Sequence, residues 1–394
     1  MEVKTGNNEL GAEQLERYLD IAREQGFDAV VTISNEIPPV PGQHPTQVDK
    51  RRLKKVALHH LPWSEVLTIA VMQKEYRGVA DPEQAWILGE LIRYLEHPRS
   101  GALEFNDMGS SWVPLREAVG AGTLRATDKT AAMVAAKFDA LVRYAGLKLG
   151  RRLGTEILPA LGRKELTEPA LRTQALVSQL TTAGAMTSAL RIPAAVSDLY
   201  VTADLRAAKI ICHVDVDAPR EGRSTTRVNW LVRQLKDAPE TVRVESFAAY
   251  ARGQSHAELL KAVREKPGLL IGDPNKELKS FRVATTSAAG VKRGTGKGSF
   301  IDSMLDAIDS FYEQVIQNLK PWMPAPPKLR LQEEIVDVEP VRPALVSTAI
   351  SSQDEPQAGP TVVHEPAAQD PGESVDQRAG TGSEEETLAT PVEP

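Results

Sequence analysis

A carboxylate and an ammonium stand two residues apart at the start of the chain, Glu2 and Lys4 in Met1-Glu2-Val3-Lys4. In an extended segment alternate residues leave the same face, so the two side chains are neighbours. A carboxylate so placed can ligate a hard cation such as Mg2+ through oxygen, while the lysine orients or helps to deprotonate a water. Alone, an E-x-K pair is equally an ordinary surface ion pair. Ten residues after Lys4, Gln14 and Tyr18 form Q-x-x-x-Y, one helical turn apart on one face. Their plain alternatives are a solvated helix position for Gln14 and a core aromatic for Tyr18.

Local elements must position these groups. Residues 1–4 read as a short strand. A helix over 11–24 is predicted from Leu15, Tyr18, Leu19 and Ala22, with Gly26 at its left-handed stop. The apolar run 29–33 reads as a buried strand, and 56–60 as another, after a proline-rich loop and the basic stretch Lys50-Arg51-Arg52-Leu53-Lys54-Lys55. Helices follow over 62–75 and from Pro82 to Pro98, the second opened by Asp81 with Gln84 and expected to turn Leu88, Leu91, Ile92 and Leu95 inward.

This order of motifs and elements resembles the PD-(D/E)XK nuclease superfamily, in the branch with E-x-K on a core strand and Q-x-x-x-Y on the next helix. The matching segment runs from Glu2 to about His60. The resemblance implies a restriction-endonuclease-like mixed sheet and Mg2+-dependent hydrolysis of DNA. Glu2 would ligate the metal, Lys4 would position the attacking water, and Gln14 and Tyr18 would brace the site or contact the substrate backbone. It also implies an acidic residue on a preceding strand, with a helix and strand before that. The chain begins at the E-x-K strand, so the expectation is a core truncated on its N-terminal side, with the true start upstream of Met1.

Further along, a loop is expected over 101–122, then a long amphipathic helix marked by Val134, Phe138, Leu141, Val142, Ala145 and Leu149, read as a connector. Strands near 189–192, 199–203, 209–216, 241–246 and 281–286 and helices around Val228, after Ser255-x-x-Glu258 and over 301–319 describe a second α/β domain. The organisation is therefore a nuclease-like region over 1–122, a helical connector over 123–165, an α/β domain of unassigned role over 166–330, and a tail over 331–394.

The second domain carries its own basic candidates. The loop Gly290-Val291-Lys292-Arg293-Gly294-Thr295-Gly296-Lys297-Gly298-Ser299 precedes a helix, a context in which backbone N–H groups can cradle phosphate. It is not a P-loop, because Val291 and Gly298 stand where that motif needs Gly and Ser or Thr. Lys292, Arg293 and Lys297 there, and Arg223 and Arg227 among Arg220, Arg223, Arg227 and Arg233 at another helix start, are the candidate phosphate contacts. The alternative is a mobile loop and a solvated helix face. Asp215 and Asp217 alternate on a strand and read as strand-end residues before cation ligands. No G-x-S-x-G elbow is present, which discounts a serine hydrolase of that class.

Composition sets the outer limits. The 394 residues contain one cysteine, Cys212, which excludes an internal disulfide framework and a cysteine-rich zinc site. No apolar run reaches membrane-spanning length and no secretory leader is seen, so a cytoplasmic protein without a membrane partner is expected. Net charge is -6, but residues 331–394 hold 14 acidic and two basic residues, a net of -12, leaving 39 acidic and 45 basic, or +6, for the rest. A mildly basic body permits DNA as a partner. The tail has eight prolines and no aromatic residue, the composition of a disordered acidic segment. The rival to hydrolysis is a non-catalytic DNA- or protein-binding regulator on a degenerate nuclease scaffold, with the second domain or tail meeting a protein partner. An NTP-dependent switch at 290–298 ranks below both.

Overall fold

The computed structural model describes residues 1–326 apart from 7, 103, 251–255 and 325. The acidic segment 331–394 lies outside the described residues. Residues 1–326 form one compact unit.

The N-terminal part is built on a parallel crossover. β1 (Glu2–Val3), α1 (Ala12–Glu24) and β2 (Ala29–Ser34) form a βαβ turn, and β3 (Ala57–Pro62) adds on the far side of β2, giving a sheet of order β1-β2-β3 with both pairings parallel. A sheet expected to be mixed is thus parallel in its described strands. Leu15, Leu19 and Ala22 of α1 are buried, and Leu19 and Ala22 pack with Val30 and Val56 in a small core of their own. Gly26 takes φ +74°, and the Phe27 N–H donates to the Ala22 carbonyl at 2.8 Å. That is the closing bond of a Schellman turn, whose left-handed position favours glycine.

α2 (Trp63–Val71) leaves β3 directly and continues as a π-helical turn over Met72–Arg77. α3 (Pro82–Glu96) is capped by Asp81, whose carboxylate accepts from the Glu83 and Gln84 N–H groups. Its expected inward stripe is only half realised. Leu95 is buried and Leu88 and Ile92 are half-buried, but Leu91 is exposed together with Trp86, Ile87 and Tyr94.

Two corrections concern the middle of the chain. The stretch expected as a loop over 101–122 contains α4 (Trp112–Ala121), with Trp112, Leu115 and Val119 buried and Gly122 at its left-handed end. The expected connector is α5 (Lys129–Leu153), and it is no bridge between separate bodies. Besides the predicted stripe, Ala131, Ala135, Asp139, Ala140, Arg143, Tyr144, Gly146 and Gly150 are buried, so the helix is enclosed on nearly every side. Small residues allow that enclosure: a Cβ on Gly146 would lie 3.1 Å from Leu190. One continuous core runs from Met108 to Leu319 across the proposed boundaries at 122 and 165.

The remaining elements are β4 (Leu158–Pro159), α6 (Arg163–Thr167), α7 (Pro169–Ala183), β5 (Ala185–Arg191), β6 (Leu199–Asp204), β7 (Lys209–Asp217), α8 (Ser224–Gln234), β8 (Arg243–Ala248), β9 (His256–Leu259), α9 (Leu260–Glu265), β10 (Leu278–Ala288) and α10 (Phe300–Gln314). The strands form a seven-stranded antiparallel sheet of order β4-β5-β6-β7-β10-β8-β9. Alternation is clearest in β7, where Ile210, Cys212, Val214 and Val216 are buried. α5 and α7 pack on β5, and α10 packs on β7 and β10. Glu258, read as the third position of a capping box, lies in β9; Ser255 is outside the described residues, and the helix begins at Leu260. Among the described residues no helix is long and apolar enough to cross a membrane.

Candidate functional site

Strand alternation puts Glu2 and Lys4 on one face of β1, and α1 crosses that face. The Lys4 ammonium lies 3.2 Å from Glu2 Oε1. The Gln14 side-chain amide donates to the same oxygen at 3.2 Å and to the Tyr18 hydroxyl at 2.8 Å. All four residues therefore form one bonded cluster, with Glu2 and Lys4 side chains about a quarter exposed or less. Tyr18 also packs on the small core with Val48 and Leu58, so its position is fixed from the opposite side.

Glu2 is the one carboxylate in this cluster. Among the described residues no three His, Cys, Asp or Glu side chains gather into a group that would hold a metal. The donor set thus fits a hydrated Mg2+ that takes most of its oxygens from water and a substrate phosphate, and does not fit an ion caged by protein alone.

A second polar row adjoins the first. Glu2 is in register with Thr32 of β2, and Thr32 with His60 of β3, so the three residues cross the sheet side by side. His60 Nε2 lies 2.8 Å from the Glu36 carbonyl, which can only accept, so that nitrogen carries the hydrogen. In the neutral ring Nδ1 then accepts from the Thr32 hydroxyl at 2.8 Å, leaving the Thr32 oxygen to accept from His44 Nε2 at 2.9 Å. His44 Nδ1 takes the Thr46 N–H at 3.0 Å. Burial pushes His60 down to about 4 and also lowers His44, against the smaller opposing pull of their backbone carbonyl contacts. His59 faces outward, as strand alternation requires. Register between parallel strands is not written in the sequence, and His44 belongs to an aperiodic loop, so this row carried no signal beyond His60 itself.

The basic stretch before β3 is tied to the face of α1 opposite Gln14 and Tyr18. The Asp49 N–H donates to Glu16 of α1, and Arg52 pairs with Glu16 and Asp20, anchoring the segment while Lys50, Arg51, Lys54 and Lys55 stay exposed.

The other predicted contacts lie elsewhere. Arg227 is 4% exposed, and its guanidinium donates to the carbonyls of Gly222, Leu278 and Arg220 at 2.8–3.1 Å. It ties the start of α8 to β10 and has no face for phosphate, which corrects its reading as a contact. Arg223, just before α8, is exposed. Lys292, Arg293 and Lys297 are exposed, with Arg293 3.6 Å from Asp107. Their loop is ordered in part by its own bonds. The N–H groups of Val291 and Lys292 donate to Gly298, Phe300 to Lys292, and Gly296 to the Asp302 carboxylate at 2.6 Å. A carboxylate thus occupies the place an anion would take. Asp215 is held by Arg282 through two hydrogen bonds of 2.7 and 3.0 Å, which makes it an ion-pair partner. Cys212 is buried in the sheet, and burial pushes its thiol up to about 12.

No family model, curated protein or solved structure matches the chain.

Proposed function

We propose that the protein is a cytoplasmic phosphodiesterase acting on DNA, with a PD-(D/E)XK-like site centred on Glu2 and Lys4 in a restriction-endonuclease-like core. The observation that supports this reading is the closed cluster in which Lys4 and Gln14 meet one oxygen of Glu2 and Gln14 also meets Tyr18. Glu2 is the residue to hold Mg2+, which when bound activates water and offsets charge developing on the phosphate. Lys4 keeps a proton-bearing group beside that position and orients the incoming water. Gln14, locked by Tyr18, holds the carboxylate in one rotamer, so little reorganisation is needed when substrate arrives.

The lone carboxylate favours a second reading, a DNA-binding protein without hydrolysis, because Glu2 is already satisfied by its neighbours. Incubating the full chain with single- and double-stranded DNA in Mg2+ separates the two. Cleavage that falls at least a hundredfold in Lys4→Ala, with DNA affinity retained, supports hydrolysis. Binding by the wild type without any cleavage supports the second reading, and neither binding nor cleavage rejects both.

A further inference from the structure

α3 carries apolar side chains on two sides, whereas a helix lying on the surface of a fold needs only one such stripe. Leu88, Ile92 and Leu95 form the inward side, where α2 and the π-helical turn pack. Trp86, Ile87, Leu91 and Tyr94 form the other and are 67, 54, 39 and 60% exposed. At 3.6 residues per turn these four fall within about 140° of the helix circumference. They make one continuous patch, unlike the single exposed apolar residues common on surfaces. Among the described residues nothing covers it.

The patch has the make-up of an interface. Tryptophan and tyrosine are enriched where proteins meet and are frequent sources of binding energy there. The exposed parts of the four side chains come to on the order of 450 Å² per copy, so two copies laid face to face remove nearly the roughly 1,000 Å² that a specific interface needs, before any polar rim is added.

Charge gives the direction. Asp81 and Glu83 are exposed at the N-terminal end of α3, and Arg93 and Arg99 towards and beyond its C-terminal end. Glu90, in the middle of the patch, is held by its own Arg93 at 3.1 Å. Glu96 leaves the other side of the helix, two residues from Tyr94. A helix that is acidic at its start and basic at its finish complements a second copy turned end for end, an arrangement that the opposed macrodipoles also favour.

We infer that the protein forms a two-fold dimer through α3, the helices antiparallel, with Trp86 of each copy against Tyr94 of the other and Glu90 of both beside the axis. Trp86 and Tyr94 each stand four residues from Glu90, the equal spacing that such a pairing requires. Asp81 and Glu83 then lie beside Arg99 of the second copy. The inference rests on α3 alone and needs neither DNA nor hydrolysis.

The full chain is tested by sedimentation velocity from micromolar to submillimolar concentration. The expected result is a reversible monomer–dimer equilibrium, weakened at least tenfold in Ile87→Asp and in Trp86→Ser. Both positions are exposed, so the circular dichroism of the variants should match the wild type's. Cys212, the one cysteine of the chain, is buried, so a single introduced thiol reports only its own surroundings. Under copper-phenanthroline oxidation Glu90→Cys should join two copies by a disulfide and Glu83→Cys should not, because an antiparallel pair brings only its central position to its own counterpart. A dimer cross-linked equally at both positions is parallel, and a dimer that Ile87→Asp leaves intact uses another surface. A chain still monomeric at submillimolar concentration leaves α3 to a different protein. Each of these three results overturns the inference.

Discussion

Gln14 Nε2 lies 3.2 Å from Glu2 Oε1, so a helix is latched to an edge strand through two residues of the candidate site. β1 has only two paired residues plus the bond from the Lys4 N–H to the Ile33 carbonyl, and the latch therefore matters to its position. An amide NH2 has two hydrogens, and both are used here, one on Glu2 and one on Tyr18. Gln14→Leu removes both bonds and keeps the apolar bulk. The expected cost is about 1 kcal/mol in urea unfolding, with DNA cleavage reduced at least tenfold through a loosened Glu2. Tyr18→Phe removes one bond and should cost less on both measures. Equal stability of Gln14→Leu and wild type would show that the latch does not form.

The Thr32–His60 pair makes stability depend on pH. His60 is lowered from 6.5 to about 4 by burial, so between those values the unfolded chain binds more protons than the folded one. Stability is therefore full above pH 6.5 and falls as pH drops towards 4. The loss from His60 is at most about 3 kcal/mol, less where water screens the ring. A protonated His60 needs Thr32 to turn its hydrogen away, to the His59 carbonyl at 3.2 Å or, after a tautomer change, to His44 Nε2 at 2.9 Å. His213, stacked on Tyr200 and also lowered to about 4, adds to the slope in the same direction. Urea unfolding at several pH values should show the decline in the wild type and a shallower one in His60→Asn. Parallel profiles would contradict the assignment.

Arg143 is a cation taken almost wholly out of water on the central helix. It is 4% exposed, pairs with Glu65 of α2 at 2.5 Å and donates to the Pro38 carbonyl at 2.8 Å. Removing one member of a buried pair leaves the other uncompensated, which is costlier than replacing both. Glu65→Leu should destabilise by about 3 kcal/mol, and Arg143→Met combined with Glu65→Leu by clearly less. The comparison is a double-mutant cycle in urea. If both single variants unfold at the wild-type midpoint, the pair does not hold α2 against α5.

What could be read from the sequence follows from which signals are local. α1, β2, β3, α3 and α10 carry local periodicity or end signals, and Glu2, Lys4, Gln14 and Tyr18 were singled out by the resemblance of E-x-K and Q-x-x-x-Y to a nuclease pattern, with alternation and one helical turn putting each pair on one face. α4 was hidden by Pro114 and Gly120 within a glycine-flanked stretch, and α7 buries only Leu176, Val177 and Leu180 beneath an otherwise polar sequence. For α5 the apolar stripe showed one face, whereas the burial of Asp139 and Arg143 depends on partners from distant segments. Asp139 is held by Arg172 of α7 at 2.8 Å. Arg227 misled for the same reason: a charged side chain reads as surface until the carbonyls that surround it are known.

The loop before α10 provides a separate check, because a mobile loop was one reading of its sequence and its bonds tie it down. Trp112 Nε1 and Arg116 both donate to the Val291 carbonyl, and the Gly290 N–H donates to Ser303. A Cβ on Gly290 would lie 2.1 Å from the Ser299 carbonyl oxygen and 2.3 Å from its carbon, and backbone cannot swing aside as a side-chain end can. Gly290→Ala must open the turn and loosen Trp112, at a cost of about 3 kcal/mol. Gly294→Ala is the control, since its nearest neighbour would be the Asn106 carbonyl at 3.6 Å, an ordinary contact, and less than about 1 kcal/mol is expected. Thermal unfolding followed by near-ultraviolet circular dichroism reads both, through the tryptophan environment. Were Gly290→Ala as stable as Gly294→Ala, the loop would not close on Ser299, and its N–H groups would again be open to an anion.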